Sequence, residues 1–152
     1  GNDHWFNNGT ELLAELNKIL ESGNQVTYTW QRVVSQTPSG DAGYAVYSDC
    51  KLGEGVSEDD FYNAYKTYAK AARELGDVAG RKMILPTSGV PSTWDYDFVQ
   101  LVTTETIADY GKNWTNFWSQ ATGESMPELK ALQDLGGSCE NERTYGIVPV
   151  RN

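Results

Sequence analysis

The chain has a single histidine, His4, and this scarcity excludes most metal and nucleophile chemistry. A catalytic triad and a cysteine–histidine pair both need a histidine held firmly by the fold, and His4 lies close to the first residue. The two cysteines, Cys50 and Cys139, lack the close spacing that cysteine ligands of a zinc site show. We therefore expect no metal, no haem and no other cofactor.

Basic residues and long apolar runs are also scarce. Twelve lysines and arginines against 21 acidic residues give a net charge of −9, which repels nucleic acid and anionic lipid. No run approaches the roughly 18 apolar residues that span a bilayer. Gly53-Glu54-Gly55 lacks the further glycine and the lysine of a phosphate-binding loop. We expect no nucleic-acid partner, no membrane and no nucleotide.

What is present is typical of one globular domain. The 152 residues are 39% hydrophobic, and a chain of this length supports one sizeable core. We predict a single α+β domain over residues 1–152. The even number of cysteines favours a secreted or periplasmic chain from which a signal peptide has been removed, although at this point a disulfide and two free thiols both remain open.

The first part of the chain, residues 1–36, predicts one helix followed by one strand. Leucine and isoleucine residues at helical spacing predict a helix over 12–20, with Thr10 as its N-cap and Gly23 as its stop. The β-branched and aromatic run at 26–34 predicts a strand. One face of that strand carries Val26, Tyr28, Trp30, Arg32 and Val34.

Turn-forming residues at 37–41 lead from this strand into a second one at 44–52. We therefore predict a hairpin between the two strands. The helix that follows has the strongest local signal, since Ser57 is a good N-cap and the acidic run 58–60 matches the positive end of the helix dipole. Gly76 ends this helix near residue 75. Its apolar stripe is Phe61, Ala64, Tyr65, Tyr68, Ala72 and Leu75.

The remaining sequence alternates between strand and helix patterns. The predicted elements are a strand at 81–86 ended by Pro86, a strand at 94–104, a helix from Thr106 to about Gly123, a short helix at 127–135 and a last strand at 143–150. From residue 44 the order is strand, helix, strand, strand, helix, strand.

This order predicts a ferredoxin-like βαββαβ sandwich over residues 44–150, with an antiparallel sheet and its helices on one face. The helix and strand of residues 1–36 repeat the second half of such a unit and precede it as an extra half-unit. In a ferredoxin-like sheet the first and last strands are antiparallel neighbours. Cys139 then comes within reach of Cys50, and we predict a disulfide between them.

Element order and aromatic helices over 44–150 resemble the dimeric α+β barrel superfamily. The resemblance implies a homodimer that packs through the sheet face, or tandem repeats within one chain. That superfamily includes cofactor-independent monooxygenases, haem-degrading enzymes, chlorite dismutase-like proteins and domains without known activity. Fold likeness alone does not assign the chemistry.

Three carboxylates are candidates for catalytic or cation-binding groups. Asp95 and Asp97 lie two residues apart on the predicted strand 94–104 and so share a face. Tyr96 and Phe98 occupy the other face, so solvated acids at the start of the strand are the favoured interpretation. Asp49 has no stronger claim.

The abundance of aromatic residues, with five tryptophans and nine tyrosines, stands above an average composition. The candidate ligand-binding residues are Tyr28, Trp30, Arg32, Tyr47, Tyr65, Tyr68, Trp114 and Trp118. Among them, Arg32 would supply a charge for an anionic group. The favoured function is a binding domain for a small apolar or aromatic molecule, or an interaction domain. The alternatives are a cofactor-independent monooxygenase- or isomerase-like enzyme, and an aromatic core with a dimer or repeat interface and no ligand.

Overall fold

The computed structural model describes residues 27–120 and 126–148, which form five strands and three helices. The predicted helix at 12–20 lies outside these residues, as does the predicted strand end at 149–150. The elements are β1 (Tyr28–Ser35), β2 (Tyr44–Lys51), α1 (Glu58–Glu74), β3 (Gly80–Ser88), β4 (Phe98–Thr104), α2 (Ile107–Gln120), α3 (Pro127–Asp134) and β5 (Ser138–Gly146).

The strands form one antiparallel sheet in the order β1-β3-β4-β2-β5. Without β1, this order is that of a ferredoxin-like sheet, in which the first strand of the unit lies between the third and the last. The α+β class and the ferredoxin-like arrangement predicted from element order are confirmed. The extra strand β1 extends the sheet beside β3.

The predicted hairpin between the first two strands is wrong. β1 pairs with β3, with Trp30 opposite Leu85, and β2 lies two strands away in the sheet. Both edges of β2 are occupied, one by β4 and the other by β5. The predicted turn is present, since the amide of Gly40 donates a hydrogen bond of 3.1 Å to the backbone oxygen of Thr37. Residues 36–43 nevertheless lead from the edge strand to β2, which lies between β4 and β5, rather than closing a hairpin.

Several strand boundaries also differ from the prediction. β1 ends at Ser35 rather than at residue 34, and β5 ends at Gly146, so the predicted strand residues 147 and 148 lie outside it. β3 continues through Pro86, which lies opposite Thr29, as far as Ser88. β4 begins at Phe98 rather than at residue 94. β5 begins at Ser138, five residues earlier than predicted, because its polar residues are exposed at the sheet edge and its strand structure comes from pairing with β2.

The helix α1 forms as the sequence predicts. The Ser57 hydroxyl accepts a hydrogen bond of 3.1 Å from the amide of Asp60, and Gly76 adopts a positive φ of 90° just after the last turn. Its buried residues are Phe61, Tyr65, Tyr68, Ala69 and Ala72. Thr106 caps α2 in the same way as Ser57 caps α1, and Pro127 occupies the first turn of α3.

All three helices pack on one face of the sheet. On that face Val34, Cys50, Met83 and Phe98 from four strands pack with the apolar residues of α1 and α3, and Phe117 of α2 packs against the same cluster. None of the helices in the described part of the chain is long and apolar enough to cross a membrane.

Cys50 and Cys139 form a disulfide, as predicted. The two residues lie opposite each other on β2 and β5, with their Cα atoms 4.1 Å apart. The bond ties the edge strand β5 to the centre of the sheet across 89 residues of sequence.

Candidate functional site

A cavity of about 320 Å³ lies between the helix-covered face of the sheet and the three helices. Its floor consists of side chains from β2, β3 and β4, and its walls come from α1, α2 and α3. The lining residues are Val46, Ser48, Phe61, Tyr65, Tyr68, Asp77, Ala79, Arg81, Gln100, Val102, Tyr110, Asn113, Trp114, Phe117, Leu129, Leu132, Gln133, Gly137, Cys139 and Glu142.

Apolar and aromatic side chains form most of this lining. Val46 and Val102 lie opposite each other on β2 and β4, and Phe61, Phe117 and Leu129 close the cavity from the helices. A volume of this size lies at the lower end of the range for small-molecule sites, which are largely apolar with a few directed polar groups. The described residues leave a space in the core that a small ring system could occupy.

The polar end of the cavity is built around the ion pair between Arg81 and Asp77. The Arg81 guanidinium donates hydrogen bonds of 3.0 and 2.6 Å to the two carboxylate oxygens of Asp77, and both residues are buried. Burial alone lowers the pKa of Arg81, but the hydrogen bonds to Asp77 and the nearby Tyr65 outweigh it, so the pKa lies above its usual value. The pair contributes no net charge to the cavity.

Tyr65 and Tyr68 extend from α1 into the cavity with their rings stacked, 6.3 Å between centroids. The Tyr65 hydroxyl accepts a hydrogen bond of 2.8 Å from Gln100 on β4. Burial raises the pKa of both tyrosines above the usual value of 10.0. Each phenol therefore stays neutral at physiological pH and keeps its hydroxyl proton.

Asn113 on α2 supplies a further polar group. Its Oδ1 accepts a hydrogen bond of 3.3 Å from the amide of Val78, which fixes the orientation of the side chain. Its Nδ2 is buried and has no hydrogen-bond partner among the described residues. An unpaired buried donor costs free energy, so this part of α2 carries a small local cost in stability.

Tyr110 and Trp114 of α2, together with Glu142 of β5, form another part of the lining that reaches the surface. The Tyr110 and Trp114 rings meet edge to face with 6.2 Å between their centroids, and the Tyr110 hydroxyl lies 3.5 Å from a Glu142 carboxylate oxygen. Trp114 is 40% exposed although it lines the cavity. This side of the cavity therefore communicates with solvent.

Three of the eight residues proposed from sequence as ligand contacts meet at the cavity. They are Tyr65, Tyr68 and Trp114. Helical spacing brings the first two to the same face of α1, and Trp114 approaches from α2. The other five lie elsewhere.

Arg32 lies on β1 and is already engaged by acidic residues. It donates hydrogen bonds of 2.7 Å to both Glu58 and Asp59, and its guanidinium lies 3.8 Å from the centroid of the Tyr62 ring. Trp30 is its neighbour on the same face of β1. Neither residue lines the cavity, and Arg32 carries no free charge for an anionic ligand there.

The remaining three aromatic candidates lie on the surface. Tyr28 is at the exposed start of β1, and Tyr47 packs edge to face on Tyr145 at 5.7 Å, on the sheet face away from the helices. Trp118 stacks on Trp114 at 5.8 Å from the outer side of α2 and is 63% exposed.

The sequence reasoning missed Asp77, Arg81, Gln100 and Asn113 as site residues. The sequence did contain a signal for Arg81. Arg81, Met83 and Leu85 alternate along β3 and so share one face, and because Met83 and Leu85 are buried, Arg81 also points towards the helices. A charged residue at such a position requires a partner. Helical spacing likewise places Asn113 on the face of α2 that carries Phe117, and Gln100 lies two residues after the buried Phe98 on β4. Asp77 lies in a loop, where no sequence period identifies it.

The three candidate carboxylates, Asp49, Asp95 and Asp97, all form hydrogen bonds or ion pairs with neighbouring groups. Asp97 accepts a hydrogen bond of 2.7 Å from the amide of Leu52, and Asp95 pairs with Lys51 at 2.5 Å. Asp49 accepts two hydrogen bonds of 2.7 Å from Arg143, which lower the pKa of its carboxyl. Among the described residues, no cluster of three or more potential ligands could hold a metal ion.

Comparisons with protein-family models, curated proteins and solved structures gave no match. The resemblance to the dimeric α+β barrel superfamily therefore stays a prediction.

Proposed function

We propose that this chain is a binding domain for a small, neutral, largely aromatic or apolar molecule held in the cavity between the sheet and the helices. The observation that carries the proposal is the cavity of about 320 Å³, whose lining is largely apolar and aromatic with a few polar side chains. A filled core would not offer this space.

Charge selects the class of ligand. Arg81 is neutralised by Asp77, and the Tyr65 and Tyr68 phenols stay protonated, so the described lining residues offer neutral polar groups but no unpaired cation. A carboxylate or phosphate ligand would lose its hydration without gaining an opposite charge. A ring that carries a hydroxyl, carbonyl or amide oxygen matches the site better.

The proposal extends to the compartment. The Cys50–Cys139 disulfide belongs to the class of bonds that persists in oxidising environments, which supports a secreted or periplasmic location. Within such a compartment a carrier or sensor domain meets small molecules taken up from the surroundings.

The direct test is a binding series followed by amide chemical shifts. We expect 2-naphthol at neutral pH to bind saturably, naphthalene to bind more weakly because it lacks the oxygen, and 2-naphthoate to bind most weakly because of its charge. The largest shifts should fall on residues 65–68, 77–81 and 110–117. Shifts that do not saturate, or that map to the opposite sheet face, would contradict the proposal.

An isomerase-like enzyme is the second candidate, because the cavity contains tyrosines beside an arginine–aspartate pair. The raised pKa of Tyr65 suits a hydrogen-bond donor that stabilises negative charge developing on a substrate carbonyl oxygen. Tyr65→Phe removes only that hydroxyl. Turnover of an aromatic ketone that falls at least about a hundredfold in Tyr65→Phe, with little change in binding, would favour the enzyme. Binding without turnover would favour the carrier.

Self-association through the sheet face away from the helices also stays a proposal. Tyr47 and Tyr145 form an aromatic pair on that face, and Tyr145 is more than half exposed. Sedimentation analysis over a range of protein concentrations tests it, since Tyr145→Ser should weaken a dimer that uses this face.

A further inference from the structure

A second concave surface, which we call the α1 groove, lies outside the ligand cavity between the end of β1 and the helix α1. It encloses about 770 Å³ and shares no lining residue with the cavity. The lining residues are Val34, Ser35, Gln36, Pro38, Asn63, Lys66, Thr67, Ala69, Lys70 and Arg73.

The α1 groove is basic although the chain is strongly acidic. Lys66, Lys70 and Arg73 line it, and no aspartate or glutamate is among the described residues of its lining. Their spacing of four and three residues places the three cations along one face of α1. Because the whole chain has a net charge of −9, three cations on one helix face make this surface more basic than the rest of the protein on average.

These cations lack carboxylate partners among the described residues. Arg32, Arg81 and Arg143 each form an ion pair with an aspartate or glutamate. In contrast, Arg73 donates to the backbone oxygens of Gln36 and Ala79 only.

The Arg73 side chain also has unused hydrogen-bonding capacity. Its Nη1 is buried and has no hydrogen-bond partner in the described structure. The two backbone contacts hold the guanidinium at the end of the groove, beside the polar side chains of Ser35 and Gln36. The positive charge of Arg73 is therefore held in a fixed position at the end of the groove.

We propose that the α1 groove binds the phosphate or carboxylate group of a small anionic molecule. The exposed Lys66 and Lys70 supply cationic hydrogen-bond donors from adjacent turns of the helix, and the Arg73 guanidinium adds positive charge at the end of the groove. The side chains of Asn63 and Thr67 supply polar contacts for the uncharged part of the ligand. This site is independent of the neutral ligand proposed for the cavity.

The test is a titration of uniformly ¹⁵N-labelled protein with inorganic phosphate and separately with succinate, at low and constant ionic strength with chloride as the reference anion. We expect saturable shifts on residues 34–38 and 63–73. A response to phosphate alone identifies a phosphate ligand, and an equal or stronger response to succinate identifies a carboxylate ligand.

The matched variants change the total charge equally. Lys66→Gln/Lys70→Gln removes two cations of the groove, and Lys82→Gln/Lys112→Gln removes two lysines outside it that form no ion pair in the described part. We expect the first pair to weaken anion binding about tenfold and the second less than about twofold.

Three results would overturn the proposal. One is equal weakening in both double variants, which indicates a general charge effect. Another is a set of shifts that do not saturate or that spread over the surface. The third is groove shifts that depend on protein concentration without added anion, which indicate that a second copy of the chain occupies the groove.

Discussion

Arg81 on β3 and Asp77 in the preceding loop form a buried ion pair in the wall of an otherwise largely apolar cavity. Two hydrogen bonds of 3.0 and 2.6 Å join them, and Asp77 also accepts a bond of 2.7 Å from the amide of Ala79. The carboxylate thus fixes both the guanidinium and the start of the strand. This pair makes the polar end of the cavity neutral and rigid.

Replacing Asp77 with asparagine should destabilise the protein strongly. Arg81 would stay buried without its counter-charge, and breaking a buried pair in this way costs about 3–5 kcal/mol. Asp134→Asn is the matched control, because Asp134 pairs with Lys130 at the same four-residue spacing but on the exposed surface. Urea unfolding should show a loss of less than about 1 kcal/mol for the control. Similar losses in both variants would contradict the assignment.

Removal of the disulfide should lower the free energy of unfolding by about 2–5 kcal/mol, because the cross-link closes a long loop in the unfolded chain. The variant Cys50→Ala/Cys139→Ala avoids burying an unpaired thiol at a fully buried position. The intact mass of the denatured protein, measured with and without reductant, checks the bond itself, because reduction of one disulfide raises the mass of the protein by about two daltons. An unchanged mass would show free thiols.

The Asp49–Arg143 pair should make stability depend on acid pH. The two hydrogen bonds from Arg143 lower the pKa of Asp49 below its usual value of 3.8, so the folded state binds this proton less readily than the unfolded state. The pair therefore stabilises the fold above about pH 4, and this contribution is lost as the pH falls through the lowered pKa.

Asp49→Asn should remove that part of the acid sensitivity. Between about pH 5 and pH 2, the variant should lose less unfolding free energy than the unchanged protein does. Asp41→Asn is the control, since Asp41 is not buried and its carboxylate has no hydrogen bond or ion pair among the described residues. An acid profile that is the same for the unchanged protein and Asp49→Asn would rule out the pair as its cause.

Two glycine substitutions should act in opposite directions. A Cβ at Gly53 would collide with the backbone oxygen of Leu135, so Gly53→Ala should destabilise by about 1–3 kcal/mol. Gly111 lies within α2 with open space around it, so Gly111→Ala should stabilise by about 0.5–1 kcal/mol. Thermal unfolding of both variants tests the close approach of the β2–α1 loop to the end of α3.

Local patterns predicted the helices and the order of the elements. Ser57, the acidic first turn and Gly76 fix α1 through short-range interactions that the sequence displays directly. The disulfide followed from element order, because a ferredoxin-like sheet places the first and last strands side by side. These predictions needed no long-range information beyond the fold type.

Strand pairing and the polar site were harder to predict. β1 and β2 are close in sequence, but β2 gains two partners in the centre of the sheet, and this long-range gain decides the pairing. β5 has no apolar alternation over Ser138–Arg143 because it lies exposed at the edge. Gln100 of β4 meets Tyr65 of α1, and Asn113 of α2 meets the amide of Val78, only after the helices have packed on the sheet.

The measurement that tests the central claim most directly is the dissociation constant of 2-naphthol, determined by calorimetry, for a variant with a filled cavity. Val46 lines the cavity floor, whereas Val33 lies on β1 outside the cavity and is 42% exposed. The account predicts that Val46→Phe weakens binding at least about tenfold while Val33→Phe leaves it unchanged, with both variants folded by circular dichroism. Equal affinities in the two variants, or no binding to the unchanged protein, would contradict a ligand site between the sheet and the helices.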